Sequence, residues 1–341
     1  MKAATIRHYG DSHVHVGLAP MPEVGPNDVL VRVYAASMNP IDFKIRDGAV
    51  KLLLDYDMPL ILGNDFSGVI EAVGPLVTDW AVGDEVYGRP SKERIGTFAE
   101  YLATDASNIA RKPSNVSFQE AAALPLVALT SYQALHDIMN IQPDDRVLIQ
   151  AGSGGIGTIA IQIAKQLGAY VATTTSTKNA DFVRSLGADR VIDYKKEAFD
   201  NVLNDYDYVF DTLGGDQLRR AFPVVKRGGA IVSISDKPNG RFAEENDLPV
   251  WKKALFSVAT WPLARLERTY GVTYHFLFMK PSGSQLDLIR QWVEDGAIKP
   301  VIDRTYPLEA VQEAFDASER GHARGKLIIE LPIVKRVETK L

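Results

Sequence analysis

Residues 147–168 read VLIQAGSGGIGTIAIQIAKQLG, and no other stretch narrows the possible folds as much. Val147, Leu148 and Ile149 form an apolar run of a length suited to a buried strand. Gly152, Gly154 and Gly157 then match G-x-G-x-x-G, with a fourth glycine at Gly155. Ile156, Ile159, Ala160, Ile163, Ala164 and Leu167 recur at helical spacing, and Gly168 stands where a helix C-terminal glycine would. Each part has a task in dinucleotide binding. The first glycine makes the tight turn, the second lets the backbone approach a pyrophosphate, and the third packs helix on strand. Free N–H groups at the helix start then face the anion. A strand–turn–helix that binds nothing is the competing reading, and it is weaker because all three parts occur in sequence.

The next strand bears on which nucleotide. Tyr170 to Thr174 reads as that strand, and an acid near its end would hold the ribose hydroxyls of NAD. The chain instead runs Thr174, Thr175, Ser176, Thr177, Lys178. Hydroxyls and a lysine suit a 2′-phosphate, so NADP(H) is expected. A polar loop that N-caps the following helix through Ser176 or Thr177 is compatible with this.

Composition removes several classes. The 341 residues imply about two domains, and 46% hydrophobic with 24% charged content is ordinary for a globular protein with a sizeable core. A net charge of −5 leaves no basic footprint for nucleic acid. The absence of cysteine excludes disulfides, thiolate catalysis and a Cys-ligated zinc. His13 and His15 alternate as on a strand without a clear third ligand, so no metal is expected. With six histidines and no G-x-S-x-G, a hydrolytic triad has little support. MKAATIRHYG lacks a signal-peptide core, and no apolar run reaches the ~18 residues of a membrane span. A cytoplasmic enzyme without membrane partners is the expectation.

Residues 1–122 read as β-rich. The stretches 1–6, 29–37, 66–73, 85–88 and 98–102 are short and apolar, and Gly, Pro, Asp and Asn separate them, as in a small irregular barrel. From Gln119 helices enter, and strands alternate with helices through Ala230–Ile234, which implies a doubly wound parallel sheet. Val272–Phe278 reads as a sixth strand and Gln285–Val293 as a helix. The tail returns to strand, helix, strand at Pro300–Asp303, Leu308–Ala317 and Lys326–Glu330. Trp251–Leu266 is apolar but broken by Pro262, and reads as a lid, a subunit contact or plain core.

SMNPIDFKIRDG (37–48), GNDFSGVIEAVG (63–74), AVGDEVYG (81–88), AALPLVALTSYQAL (122–135), the glycine motif and GKLIIEL (325–331) together resemble the zinc-free quinone oxidoreductase branch of the medium-chain dehydrogenase/reductase family. SLGADRVIDY and FDTLGG look most like its enone and alkenal reductases. The resemblance implies an α/β chain: a GroES-like barrel from 1–122 and 297–341, and a Rossmann domain from 123–296, with the active site between them. It also implies a homodimer, with a tetramer as the other option, through the strand at 272–278. Zinc alcohol dehydrogenases carry cysteine near Asn39 and His-Glu where this chain has Asn64-Asp65. Without that metal, the chemistry left is hydride transfer to an activated acceptor, a quinone or a double bond conjugated to a carbonyl.

By the same resemblance the catalytic residues are Asn39, Asp42 and Lys44, with the Asn39 amide on the cofactor ribose or the acceptor oxygen and Lys44 donating to the developing enolate. An Asn-Pro turn and a solvated lysine are the plain alternatives for Asn39 and Lys44. The cofactor meets Thr130, Gly152, Ser153, Gly154, Gly155, Ile156, Ser176, Thr177, Lys178, Tyr194, Leu213, Phe276, Phe278 and Lys326. An ordinary edge-strand lysine is the alternative for Lys326. A binding protein of the same fold with little turnover, in a redox-sensing or lens-type role, is the alternative to an enzyme.

Overall fold

A computed structural model describes residues 1–332. Eight strands come first: β1 (Lys2–Ile6), β2 (His15–Leu18), β3 (Asp28–Met38), β4 (Leu60–Ile61), β5 (Asp65–Val73), β6 (Glu85–Gly88), β7 (Tyr101–Asp105) and β8 (Ile109–Arg111). Helix α1 (Pro40–Arg46) lies between β3 and β4, and α2 (Phe118–Ala122) and α3 (Pro125–Tyr132) follow β8. Strand and helix then alternate: β9 (Arg146–Ile149), α4 (Gly155–Gln166), β10 (Tyr170–Thr175), α5 (Ala180–Ser185), β11 (Arg190–Asp193), α6 (Phe199–Val202), β12 (Tyr206–Asp211), α7 (Gly215–Ala221) and β13 (Val225–Ser233). Three helices, α8 (Gly240–Glu245), α9 (Val250–Ala259) and α10 (Trp261–Tyr270), precede β14 (Thr273–Phe276). The chain closes with α11 (Gly283–Glu294), β15 (Ile302–Pro307), α12 (Val311–Glu319) and β16 (Lys326–Glu330). No helix among the described residues is long and apolar enough to cross a membrane.

The chain divides into two compact units, 1–126 with 280–341, and 127–279. In the first, β3 is the organising strand. Val29, Val31 and Val33 alternate into a core shared with Phe66, Ile70, Phe98 and, from α12, Phe315. β3 pairs with β5 along one side, and with β7 and β16 on successive halves of the other. The returning tail thereby places Lys326 beside Met38. A three-stranded sheet, β2-β1-β4, completes this β-rich unit.

The second unit is a six-stranded parallel sheet in the order β11-β10-β9-β12-β13-β14. Numbered within the unit, this is 3-2-1-4-5-6, the doubly wound order whose direction reverses between its first and fourth strands. Val147, Leu148, Ile149, Val171, Ala172, Val209, Phe210, Ile231 and Val232 are buried without alternation, as helices on both faces require. β14 is an edge strand.

Three expectations shift. The boundary expected after 296 falls at 279/280, because α11 packs on β8 rather than on the parallel sheet. Tyr87 donates to the Leu286 carbonyl at 2.6 Å, and Asn115 to that of Val293 at 2.9 Å. The strand expected at 98–102 begins at Tyr101, since Phe98 and Ala99 instead bridge to β1. Pro262 does not break a helix but opens α10 in its first turn, where its missing N–H costs nothing. The docking of α11 is steric as well as polar: a Cβ on Gly283 would lie 2.3 Å from the Ile109 carbonyl oxygen. Gly283→Ala is therefore expected to cost about 2–3 kcal/mol of stability, read by denaturant unfolding.

Candidate functional sites in the two units

In the second unit the glycine turn stands at the reversal point of the sheet. Apolar β9 ends at Ile149, Ala151 takes a positive φ of 52°, and Gly154 caps α4 in extended backbone. A Cβ on Gly152 would sit 2.1 Å from Thr173 Oγ1, and one on Gly157 2.3 Å from the Ala151 carbonyl. Only glycine lets the turn fold this tightly against β10 and the helix start. α4 begins where β9 ends, at the C-terminal edge of the sheet, and the free N–H groups of a helix start suit a pyrophosphate. Ser153 Oγ accepts from Thr175 and Asn179, both at 3.1 Å, which ties the turn to the end of β10. Ala151 N–H donates to Thr174 Oγ1 at 3.0 Å.

Other residues expected at the cofactor also lie in the second unit. Gly155 and Ile156 open α4, and Ser176 is buried at the end of β10. Lys178 is exposed and has no partner among the described residues. Tyr194 follows the adjacent strand, its N–H on the Thr175 carbonyl at 3.1 Å and its ring exposed. Leu213 follows β12, with its N–H on Asp211 Oδ1 at 3.1 Å. Phe276 ends β14 edge-to-face on Phe242, with centroids 5.2 Å apart, and Phe278 lies two residues beyond. Thr130 is buried in α3.

No acid ends β10, but the fold supplies one from next door. Asp193, at the end of β11, accepts the Thr177 hydroxyl and lies 3.6 Å from Lys196. The Thr177 hydrogen bond holds its carboxyl below the usual range. Asp211 was also missed. It is buried, accepts from Ser233 at 2.5 Å and from Gly214 N–H at 2.9 Å, and burial raises its pKa.

In the first unit a buried polar cluster forms where β3, β5, β6 and β16 meet α1. Asp65 Oδ2 accepts from Ser37 at 2.6 Å and Asn39 Nδ2 at 2.9 Å, and Oδ1 from Leu126 N–H at 2.8 Å. The Lys326 ammonium lies 3.5 Å from the same carboxylate, donates to the Met38 carbonyl at 2.9 Å, and also donates to Asn39 Oδ1. Asn39 Nδ2 gives its other hydrogen to the Ser37 carbonyl at 3.1 Å. The Asn39 amide is thus spent on internal partners at both ends. Asp42 accepts from the Asn39 N–H and from Asn64 Nδ2, both at 2.7 Å, holding the start of α1. Arg89 Nη2 reaches Asn64 Oδ1 at 3.3 Å, while its buried Nε has no partner among the described residues.

Burial dominates the electrostatics here. It lifts Asp42 to about 7, against the hydrogen bonds from Asn64 and Asn39, and it lowers both Lys326 and Arg89. Lys326 is therefore no edge-strand lysine: β16 lies between β15 and β3, and its ammonium belongs to the cluster. Lys44 differs from its neighbours. At the other end of α1, Arg46 is tied to Glu319 at 2.6 Å and lies over the Phe315 ring. Lys44, between the two anchored ends, is half-buried and has no ion pair or hydrogen bond among the described residues; burial lowers its pKa. Arg89 and the Lys326–Asp65 contact were not read from sequence. A charged residue directly after a buried strand, as in Val86-Tyr87-Gly88-Arg89, is the one signal that points to the former.

Zinc does not fit this cluster. Its donors are two amides and two carboxylates already satisfied by hydrogen bonds, and a lysine ammonium supplies the cation. No group of three histidine, aspartate or glutamate residues able to hold a metal occurs among the described residues.

Family models describe residues 25–114 as an alcohol dehydrogenase GroES-like domain and residues 186–329 as a zinc-binding dehydrogenase. The mitochondrial NAD(P)H oxidoreductase RTN4IP1 of Mus musculus is 36% identical, over 90% of this chain and 82% of its own. The chloroplastic NADPH-dependent alkenal/one oxidoreductase of Arabidopsis thaliana is 34% identical, over 91% of this chain and 73% of its own. The quinone oxidoreductase structure from Coxiella burnetii superposes with a TM-score of 0.83 at 32% identity, over 97% of this chain and 99% of that one.

The raised Asp42 pKa makes stability pH-dependent. An unfolded aspartate ionises near 3.9 and the folded one near 7, so the folded state binds the extra proton between those values. Stability from this group falls as pH rises from about 4 to about 7, and is flat above. Between pH 5.5 and 8 the loss is about 2 kcal/mol. Denaturant unfolding at the two pH values checks this, with the slope reduced in Asp42→Asn.

Proposed function

The chain belongs to the medium-chain dehydrogenase/reductase family, as an NAD(P)H oxidoreductase, and on that footing we propose that it uses NADPH to reduce a quinone or the conjugated double bond of an enone or alkenal, without zinc. When bound, the reduced nicotinamide supplies the hydride. The chain's own residues hold the nucleotide and answer the charge that hydride arrival places on the acceptor oxygen.

One observation carries this reading: Lys44 is a half-buried ammonium, without a partner among the described residues, on a helix anchored at both ends. A half-buried ammonium with no protein partner keeps its donors open to a ligand that carries negative charge. An enolate or reduced quinone oxygen is such a ligand, and the lowered pKa eases release of the proton it needs. Asn39 and Asp42 then serve by holding α1, since their polar atoms are already committed. The names of the relatives, for quinones and for alkenals, support this acceptor class.

Lys44→Ala is expected to lower kcat on enones about 10²–10³-fold with NADPH affinity nearly unchanged, because the loss falls on the transition state. Quinones, which accept hydride with less help, should lose less. The wild-type rate should decline at high pH from below the ordinary lysine range, and that limb should vanish in the variant. A mutant equal to wild type on every acceptor refutes the role. No turnover of wild type across a quinone and enone panel, with NADPH bound, favours a binding protein.

NADPH preference rests on Lys178 and Tyr194 beside the end of β10, with Lys196 near Asp193. NADPH should bind at least tenfold more tightly than NADH, about 1.4 kcal/mol. Lys178→Ala should erase much of the gap in a titration of both nucleotides, and equal affinities in wild type would refute the preference.

A further inference from the structure

The carboxylate of Asp193 is held as a bound anion would be. Its Oδ2 accepts the Thr177 hydroxyl and lies 3.6 Å from the Lys196 ammonium, and its Oδ1 accepts the Lys195 N–H at 3.1 Å. One oxygen thus faces a hydroxyl and an ammonium together, and the other a backbone N–H. Those are the donor types that surround a phosphate. The Thr177 hydrogen bond keeps the group ionised, below the usual carboxylate range.

Two links place this anion beside the nucleotide site. Thr175 and Asp193 are register partners at the ends of β10 and β11. Thr177 opens the turn whose Asn179 donates to Ser153 Oγ at 3.1 Å, and Ser153 belongs to the glycine turn. In a doubly wound sheet the ribose of the adenosine lies at the end of the second strand, so its 2′ position comes to residues 176–178. Thr177 is exposed there. The Asp193 side chain is 13% exposed and that of Lys196 68%. The acid is fixed and the lysine is free to leave it, because an exposed ion pair contributes little.

We propose that Asp193 sets the cofactor preference by competing with the 2′-phosphate of NADPH for Thr177 and Lys196, an assignment that rests on the nucleotide reading above. With NADH the carboxylate keeps both donors, and neither is left without a partner. With NADPH a second anion must draw Lys196 away and lie close to a like charge. That repulsion offsets part of what Lys178 and Lys196 contribute. Preference for NADPH is thereby held below what the lysines alone would give, and removing the charge widens it. Asp193 differs from an acid that grips the ribose hydroxyls of NAD, because its oxygens already accept from Thr177 and Lys195.

Asp193→Asn keeps the shape of the side chain and removes its charge. In fluorescence titrations of the full chain it should tighten NADPH about threefold or more and move NADH by less than about twofold. Adenosine 2′,5′-bisphosphate should gain as NADPH does and adenosine 5′-monophosphate should not, which confines the effect to the phosphate end. Lys196→Ala should weaken NADPH alone. Asp193→Asn should gain less in that background, since no ammonium remains to be released. The quantity read is the change in the NADPH-to-NADH ratio between variant and wild type, whichever nucleotide wild type prefers. A ratio unchanged or narrowed in Asp193→Asn, with wild type binding both nucleotides, overturns the proposal and leaves the nucleotide site standing. Loss of NADH binding in Asp193→Asn also overturns it, by making the carboxylate a ribose ligand or a structural tie. A wild type that binds neither nucleotide removes both readings.

Discussion

The ammonium of Lys326 against Asp65 and Asn39 is the interaction on which the first unit turns. It joins the last described strand to the end of β3, the longest strand of the sheet, and through Asn39 and Asp42 it fixes where α1 begins. Removing either charge would leave the other buried and alone, which costs far more than the intact pair contributes. Lys326 and Asp65 remain buried together because each faces an opposite charge and is hydrogen-bonded as well. What remains unpaired on α1, after both ends are anchored, is Lys44. The same arrangement accounts for the return of the tail to the barrel, since β16 must lie beside β3 for the ammonium to reach Met38 and Asn39.

The second unit rests on a different constraint, the close approach of backbone to backbone at the glycine turn. This was the most legible part of the chain, because glycine spacing, an apolar run and helical periodicity are local signals, and the parallel sheet followed from alternation alone. Five strands of the first unit, β1, β3, β5, β6 and β7, were legible within a few residues for the same reason, whereas the short β2, β4 and β8 left no apolar run to read. The burial of Lys326 was not, because it depends on which strands become neighbours across nearly three hundred residues. Asp193 escaped for a related reason. The sequence that continues from β10 carries no acid, whereas the carboxylate near Thr177 comes from the next strand over, at a register that only pairing reveals. The place of α11 likewise hangs on Gly283 meeting Ile109, a contact that leaves no periodic mark.

The Asn39 amide illustrates how a residue of the right type at a matched position can be occupied otherwise. Its pattern invites a role as donor to substrate, yet both amide hydrogens are already given to partners in the first unit, and its oxygen accepts from Lys326. Lys44 looked less promising, as lysines are mostly solvated. Its ammonium nevertheless has no partner among the described residues, while the polar groups of Asn39 and Asp42 on the same loop and helix are engaged. Unsatisfied capacity, more than residue type, separates the two.

The tight seat of Gly152 against Thr173 has a consequence for evolution. The turn that would receive a pyrophosphate is wedged into the sheet by contacts that also hold the fold, so its shape is settled before any ligand arrives. A substitution at Gly152, Gly157 or Thr173 therefore has no route to altered nucleotide recognition that does not pass through the stability of the sheet. Lineages diverging in cofactor choice should change instead at the strand ends around Lys178 and Tyr194, where side chains reach into solvent and the backbone is indifferent to their identity.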